Sequence, residues 1–230
     1  MHNTIANHLQ STLSQISVAA KQANRDPADI QLLAVSKTKP VSDLVLAYQA
    51  GQRHFGENYV QEGVDKVLAL AHLNDLTWHF IGPIQSNKSK FIAQHFAWCH
   101  SIDRLKIAQR LNNQRPQDLA PLNVCIQINI DNEPTKAGIM PEALLETAAA
   151  ITELPNLRLR GIMAIPQATP DVAQQTATFL HLQRLFNHLT ERYCDVATLS
   201  MGMSGDLAPA IAAGSTMVRV GTGIFGARNT

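Results

Sequence analysis

Eight short apolar runs, each followed by a turn or a segment of helical periodicity, constrain this chain more than any other feature. They lie near residues 31–37, 54–58, 77–82, 98–103, 123–130, 159–166, 197–203 and 216–221. Several are continuously apolar, as strands covered on both faces of a parallel sheet must be. Between them, Val60, Val64, Val67 and Leu68 share one helical face, and Leu105, Ala108 and Leu111 share another. Pro141 opens a segment through Leu144, Ala148 and Ile151, since proline suits a first helical turn. Pro170 precedes a longer segment carrying Phe179, Leu182, Phe186 and Leu189, and Ser204 or Asp206 is placed to cap a last helix over 207–213. Ahead of the first run, Ile5, Leu9, Leu13, Ile16 and Ala20 recur at helical spacing. Eight strands alternating with helices predict an α/β fold, a TIM-like (β/α)8 barrel with an extra N-terminal helix. A doubly wound open sheet is the alternative. No linker of low complexity and no repeat divides the 230 residues, so one domain over 1–230 is expected.

The composition excludes several classes of function. Basic and acidic residues number 19 and 18, and no basic block stands out. Nothing therefore points to nucleic acid or to an anionic membrane surface. The first segment lacks the apolar core of a signal peptide, and no run is long enough to span a bilayer. Cys99, Cys125 and Cys194 are odd in number and widely spaced, which fits neither a disulfide framework nor a zinc site. A monomeric, cytoplasmic protein is expected.

In a barrel, the residues at the C-terminal ends of the strands build the active site. Here those positions hold Lys37, Asn58, Asp103, Asn129, Met163, Ser200 and Arg219. Desolvation at a strand mouth lowers an ammonium pKa and makes the amine a nucleophile toward carbonyls, although a lysine with a packed stem and a wet head is the blander reading of Lys37. Lys39 competes with it if the strand continues, because residues two apart face the same side. The histidines are scattered without metal-ligand spacing, and His79 reads as a hydrogen-bonded structural residue.

Gly221-Thr222-Gly223-Ile224-Phe225-Gly226 matches GxGxxG. A dinucleotide fingerprint also needs a second strand and an acidic residue about 20 positions on, and the sequence ends at Thr230. A phosphate is the better candidate, because barrels bind phosphate with the loops after strands 7 and 8. Those loops are the run 200–205 and Gly221-Thr222-Gly223, rich in small residues, hydroxyls and helix-start amides. Arg219 lies two residues before Gly221 and faces the same way; it needs either an acidic partner or a ligand atom. An amine, a phosphate cradle and an arginine together match pyridoxal 5′-phosphate, which offers an aldehyde, a phosphate and a pyridine nitrogen.

Specific segments strengthen that reading. They are Leu33-Ala34-Val35-Ser36-Lys37-Thr38-Lys39, Phe55-Gly56-Glu57-Asn58-Tyr59, Trp78-His79-Phe80-Ile81-Gly82, Gln85-Ser86-Asn87-Lys88, Ser101-Ile102-Asp103, Gly161-Ile162-Met163, Ser200-Met201-Gly202-Met203-Ser204 and the run 214–222. With these, the chain resembles the pyridoxal phosphate homeostasis protein family, single-domain relatives of the alanine racemase N-terminal barrel. The resemblance implies that Lys37 forms the internal aldimine and that Ser200, Ser204, Gly221 and Thr222 surround the phosphate. It places Arg219 at the pyridine nitrogen, Asn58 and Met163 along the ring, and Lys136 where racemases carry an arginine near the cofactor. It implies a role in intracellular vitamin B6 and amino-acid homeostasis without catalytic turnover, with apo forms of pyridoxal phosphate enzymes as transient partners. Racemases take a second base, a tyrosine, from an additional C-terminal domain. Here only Tyr59, of Tyr48, Tyr59 and Tyr193, lies near a strand end. The alternatives are a racemase- or lyase-type enzyme with Lys37 as base, and a partner protein for which the cofactor is only a stabilising ligand.

Overall fold

The computed structural model describes residues 4–133 and 136–227. β1 (Gln31–Val35) pairs on one side with β2 (His54–Glu57) and on the other with β8 (Met217–Val220), so the sheet closes on itself. Between them run β3 (Thr77–Phe80), β4 (Trp98–Ile102), β5 (Leu122–Ile128), β6 (Leu157–Ala164) and β7 (Thr198–Ser200), every pair parallel and in sequence order. The closure excludes the open doubly wound sheet. The continuous apolar runs are explained by it: each strand buries one face in the barrel and the other under helices.

The helices are α1 (Thr4–Gln22), α2 (Val41–Gln49), α3 (Val60–Ala69), α4 (Ser89–His95), α5 (Leu105–Gln114), α6 (Leu144–Thr152), α7 (Val172–Thr190), α8 (Leu207–Ala212) and the short α9 (Thr222–Phe225). α1 is the extra N-terminal helix. It buries Ile5, Leu9, Thr12, Ile16, Ala19 and Ala20, while Leu13 is exposed. The packed stripe thus takes Thr12 in place of Leu13, because Thr12 can bond the His8 carbonyl one turn back. Leu68 and Leu105 likewise lie outside the core. Pro141 opens a single 3₁₀ turn, Pro141–Ala143, that leads into α6, and Asp171 caps α7 through the amides of Ala173 and Gln174.

Two close approaches shape the barrel, one at its mouth and one deeper in its wall. A Cβ on Gly82 would sit on the Asn58 carbonyl oxygen, and one on Gly161, at φ +153°, would sit on the Thr198 carbonyl. Only glycine allows these backbones to pass so closely. Near Gly161 the β5–β6 register slips by one residue, from Val124↔Leu159 to Cys125↔Gly161.

β1 stops at Val35, two residues short of Lys37. Thr38 takes a left-handed conformation, φ +63°, which turns the chain. Lys39 consequently does not follow Lys37 along a strand. Its Nζ instead donates to the carbonyls of Phe225 and Ala227 at 3.0 and 2.8 Å.

Candidate ligand site

A cavity of about 310 Å³ opens at the C-terminal mouth of the barrel, within the volume range of small-molecule sites. Lys37, Asn58, Ser204, Arg219, Gly221 and Thr222 line it, with Val35, Ile81, Ile165, Met203 and Gly205. Of these, Ile165 lies in none of the specific segments, and Ile81 and Met203 lie inside two of them without being among the expected site residues; all three supply apolar walls.

Met163 and Ser200 do not line the cavity. The strand register explains this: Met163 pairs with Ser200, and Ser200 with Met217. Both therefore stand level with Met217, two residues below Arg219, in a deeper layer of the barrel. Both are fully buried. Ser200 acts from below on Arg219. The guanidinium donates through one terminal nitrogen to Ser200 O and Oγ at 2.7 and 2.8 Å, and through the other to Ala164 O at 2.8 Å. Among the described residues, no carboxylate forms an ion pair with Arg219. Burial pushes it down to about 10, against a smaller opposing pull from Asp206. A buried cation held by dipoles alone, at a cavity wall, is suited to receive a ligand acceptor.

The loops after β7 and β8 meet at one corner of this cavity. Asp206 occupies the N-cap position of α8, where its carboxylate accepts the Met203 amide. Ser204 is therefore not the cap, and its hydroxyl borders the cavity. A Cβ on Gly223 would lie 3.6 Å from Ser204 Oγ, which shows how near the two loops come. The first amides of α8 and α9 lack intrahelical partners and carry partial positive charge, as an anion requires. On the opposite wall, Asn58 Oδ1 is buried and accepts no hydrogen bond. An orphaned buried acceptor is costly, and the rest of the Asn58 side chain stands in the cavity wall.

Beneath Arg219 runs a chain of imidazoles that the scattered histidine positions did not disclose. His54 Nδ1 lies 3.0 Å from His79 Nε2, His79 Nδ1 2.9 Å from His100 Nε2, and His100 Nδ1 3.2 Å from Ser200 Oγ. His79 also stacks on Trp98. Burial holds His79 well below the usual imidazole range and His100 down to about 3, so both rings are neutral. A guanidinium only donates, so Ser200 Oγ accepts from Arg219 and satisfies its own proton by donating to His100 Nδ1. Each neutral ring then donates from Nε2 to the next ring, and the chain has one polarity, from Ser200 toward His54. His79 is the hydrogen-bonded structural residue expected, and it stands at the centre of this chain.

Lys136 does not line the Lys37 cavity. It pairs with Asp131 at 2.6 Å and borders a smaller cavity of about 170 Å³ with Asn129, Asp131 and Ile165. Its sequence neighbour Thr135 lies outside the described residues. Tyr59 caps the start of α3 and is exposed.

A parallel eight-stranded barrel with an amine, two loops of small and hydroxyl residues and a buried arginine around a cavity at its mouth is of the class of (β/α)8 barrels with a small-molecule cavity at the C-terminal ends of the strands. The chain belongs to the alanine racemase N-terminal domain family, which matches residues 8–229. It is 56% identical over 229 residues to the pyridoxal phosphate homeostasis protein of Escherichia coli K12, covering 99% of this chain and 98% of that one. PipY of Synechococcus elongatus PCC7942, in its structure with PLP bound, superposes with a TM-score of 0.83 at 37% identity, over 96% of this chain and all of that one. Alanine racemase from Corynebacterium glutamicum shares the fold alone, at a TM-score of 0.68 and 15% identity, and this chain covers 62% of its length.

Proposed function

We propose that this chain binds pyridoxal 5′-phosphate at Lys37 and acts in vitamin B6 and amino-acid homeostasis without turning over a substrate. The observation that carries the reading is the convergence in one cavity of Lys37, the Ser204 and Thr222 loops, Arg219 and Asn58. When bound, the cofactor supplies an aldehyde for an amine, a phosphate, a ring nitrogen and a ring hydroxyl. Lys37 provides the amine. Ser204, Gly205, Gly221 and Thr222 hold the phosphate through hydroxyls and helix-start amides. Arg219 would meet the ring nitrogen, where its charge would disfavour protonation, since one cation disfavours another beside it. Asn58 would stand at the ring edge, and Val35, Ile81 and Ile165 would keep water from it. Ser200 belongs to the support of Arg219, and Met163 to the layer below.

The absence of turnover is supported by the lining itself. Among the described residues, Lys37 and Arg219 are the only ionisable side chains that line this cavity, and Arg219 is bound into the barrel wall. One amine faces the ligand where racemisation needs an acid or base on each side. Relatives that share only the fold include racemases, so the distinction rests on this lining. We further propose a cytoplasmic monomer that passes its cofactor to apoenzymes. No helix among the described residues is long and apolar enough to cross a membrane.

Titration with pyridoxal phosphate, followed by dialysis and an absorption spectrum, tests the binding. Cα–deuterium exchange of alanine by the loaded protein tests the rest. Exchange approaching about one per second, the low end of enzyme turnover, would make the chain an enzyme and overturn the carrier reading.

A further inference from the structure

Behind the Lys37 turn, and outside the cavity, lies a buried ionic cluster. Lys66, on α3, is 5% exposed at its side chain, Glu57 is 0% and Glu62 is 28%. The three hydrogens of the Lys66 ammonium have three acceptors: Ser36 O at 2.7 Å, Glu57 Oε1 at 2.8 Å and Glu62 Oε1 at 2.6 Å. Each acceptor leads to a residue adjoining Lys37. Ser36 contributes its carbonyl directly, and its hydroxyl donates to Glu57 Oε1 at 2.5 Å. Glu62 Oε1 accepts the Thr38 amide at 2.5 Å. Glu57 also precedes Asn58, the second polar residue of the cavity wall.

We propose that Lys66, Glu57 and Glu62 form a positioning unit that clamps both neighbours of Lys37 and so aims its amine into the cavity. This rests on Lys37 being the point of attachment. Two observations favour positioning over simple stabilisation. Glu57 Oε2 is buried with no hydrogen-bond partner, and a cluster serving stability alone is better replaced by packed apolar side chains. Thr38, moreover, sits in the left-handed region at φ +63°, a conformation that a β-branched residue adopts only when its surroundings impose it. The Glu62 carboxylate on its amide is such an imposition. It redirects the chain so that Lys37 points to the cavity while Lys39 goes to the Phe225 and Ala227 carbonyls.

The test uses the full chain with two readouts. One is the rate of pyridoxal phosphate attachment at Lys37, trapped by borohydride and mapped by peptide mass. The other is the rate of acetylation of Lys37 by acetic anhydride relative to exposed Lys21 and Lys106, which needs no cofactor. Glu62→Ala slows attachment at Lys37 by roughly ten- to a hundredfold, the scale of a misplaced reacting group, and changes its acetylation relative to the two controls. Adding Thr38→Gly, which adopts the left-handed turn without strain, restores most of the rate. Glu62→Gln keeps an acceptor for the Thr38 amide and also retains most of it. Unchanged attachment in Glu62→Ala overturns the proposal, as does a failure of Thr38→Gly to rescue, or a parallel change at Lys21 and Lys106. If wild-type Lys37 takes no cofactor, the proposed function fails by itself; the acetylation ratio still decides whether the unit positions Lys37.

Discussion

Replacing Arg219 by methionine separates what the arginine does for the barrel from what it does for a ligand. The residue is 4% exposed and makes three hydrogen bonds, to Ser200 O, Ser200 Oγ and Ala164 O. Burial pushes the guanidinium from 12.5 down to about 10, which corresponds to about 3 kcal/mol against the charged form in the folded protein. Three hydrogen bonds at about 1 kcal/mol net each offset that penalty. Methionine removes the penalty and the bonds together but leaves buried acceptors on Ser200 and Ala164 without that donor, so the ligand-free barrel should lose up to about 3 kcal/mol by urea unfolding. Binding should respond differently. Losing a charge-assisted bond to the ring nitrogen costs about 1.5–3 kcal/mol, or roughly ten- to a hundredfold in Kd. Because the ring nitrogen is common to pyridoxal phosphate and unphosphorylated pyridoxal, both ligands should weaken alike in absorbance titrations. A loss of about 4 kcal/mol or more in the ligand-free protein, with affinity for both ligands preserved, would show that Arg219 is framework only.

Ser204→Ala should weaken pyridoxal phosphate by about tenfold or more, and pyridoxal hardly at all; equal titration shifts for the two ligands would place the phosphate elsewhere. The imidazole chain carries a pH dependence. His79 and His100 have folded pKa values below the ordinary 6.5, so the unfolded chain protonates first. Their contribution is present above about pH 6.5 and is lost as pH falls, at about 1.4 kcal/mol per pH unit for each ring. Urea midpoints measured from pH 7 to 5 should decline accordingly, and ¹⁵N NMR should show His79 and His100 neutral with the proton on Nε2. Resonances of these rings titrating near pH 6.5, or protonated at Nδ1, would contradict the derived polarity.

The barrel was legible because its strands are buried on both faces, which leaves continuous apolar runs at regular spacing. The cavity corner made by Ser204, Gly221 and Thr222 was legible because small residues and hydroxyls clustered after the last two strands. What the sequence hid depends on register and on partners distant in the chain. Met163 and Ser200 were assigned to the ligand, yet the pairing of β6, β7 and β8 sets them one layer too deep. Lys39 remained a competitor of Lys37 because the left-handed turn at Thr38 leaves no compositional trace at a threonine. The three histidines come from different strands, and their spacing of 25 and 21 residues reflects strand periodicity in a barrel, not a local motif. Lys66 carries no motif or spacing signal, and only the fold shows it buried behind the Lys37 turn.

The most direct test of the account is reductive trapping. The protein is saturated with pyridoxal phosphate, reduced with borohydride, digested, and every lysine-containing peptide is weighed. The account predicts one dominant pyridoxyl adduct, on Lys37, which disappears in Lys37→Ala while the variant keeps its far-UV spectrum. A dominant adduct on Lys39, Lys136 or any other lysine, or no adduct at saturation, would contradict it.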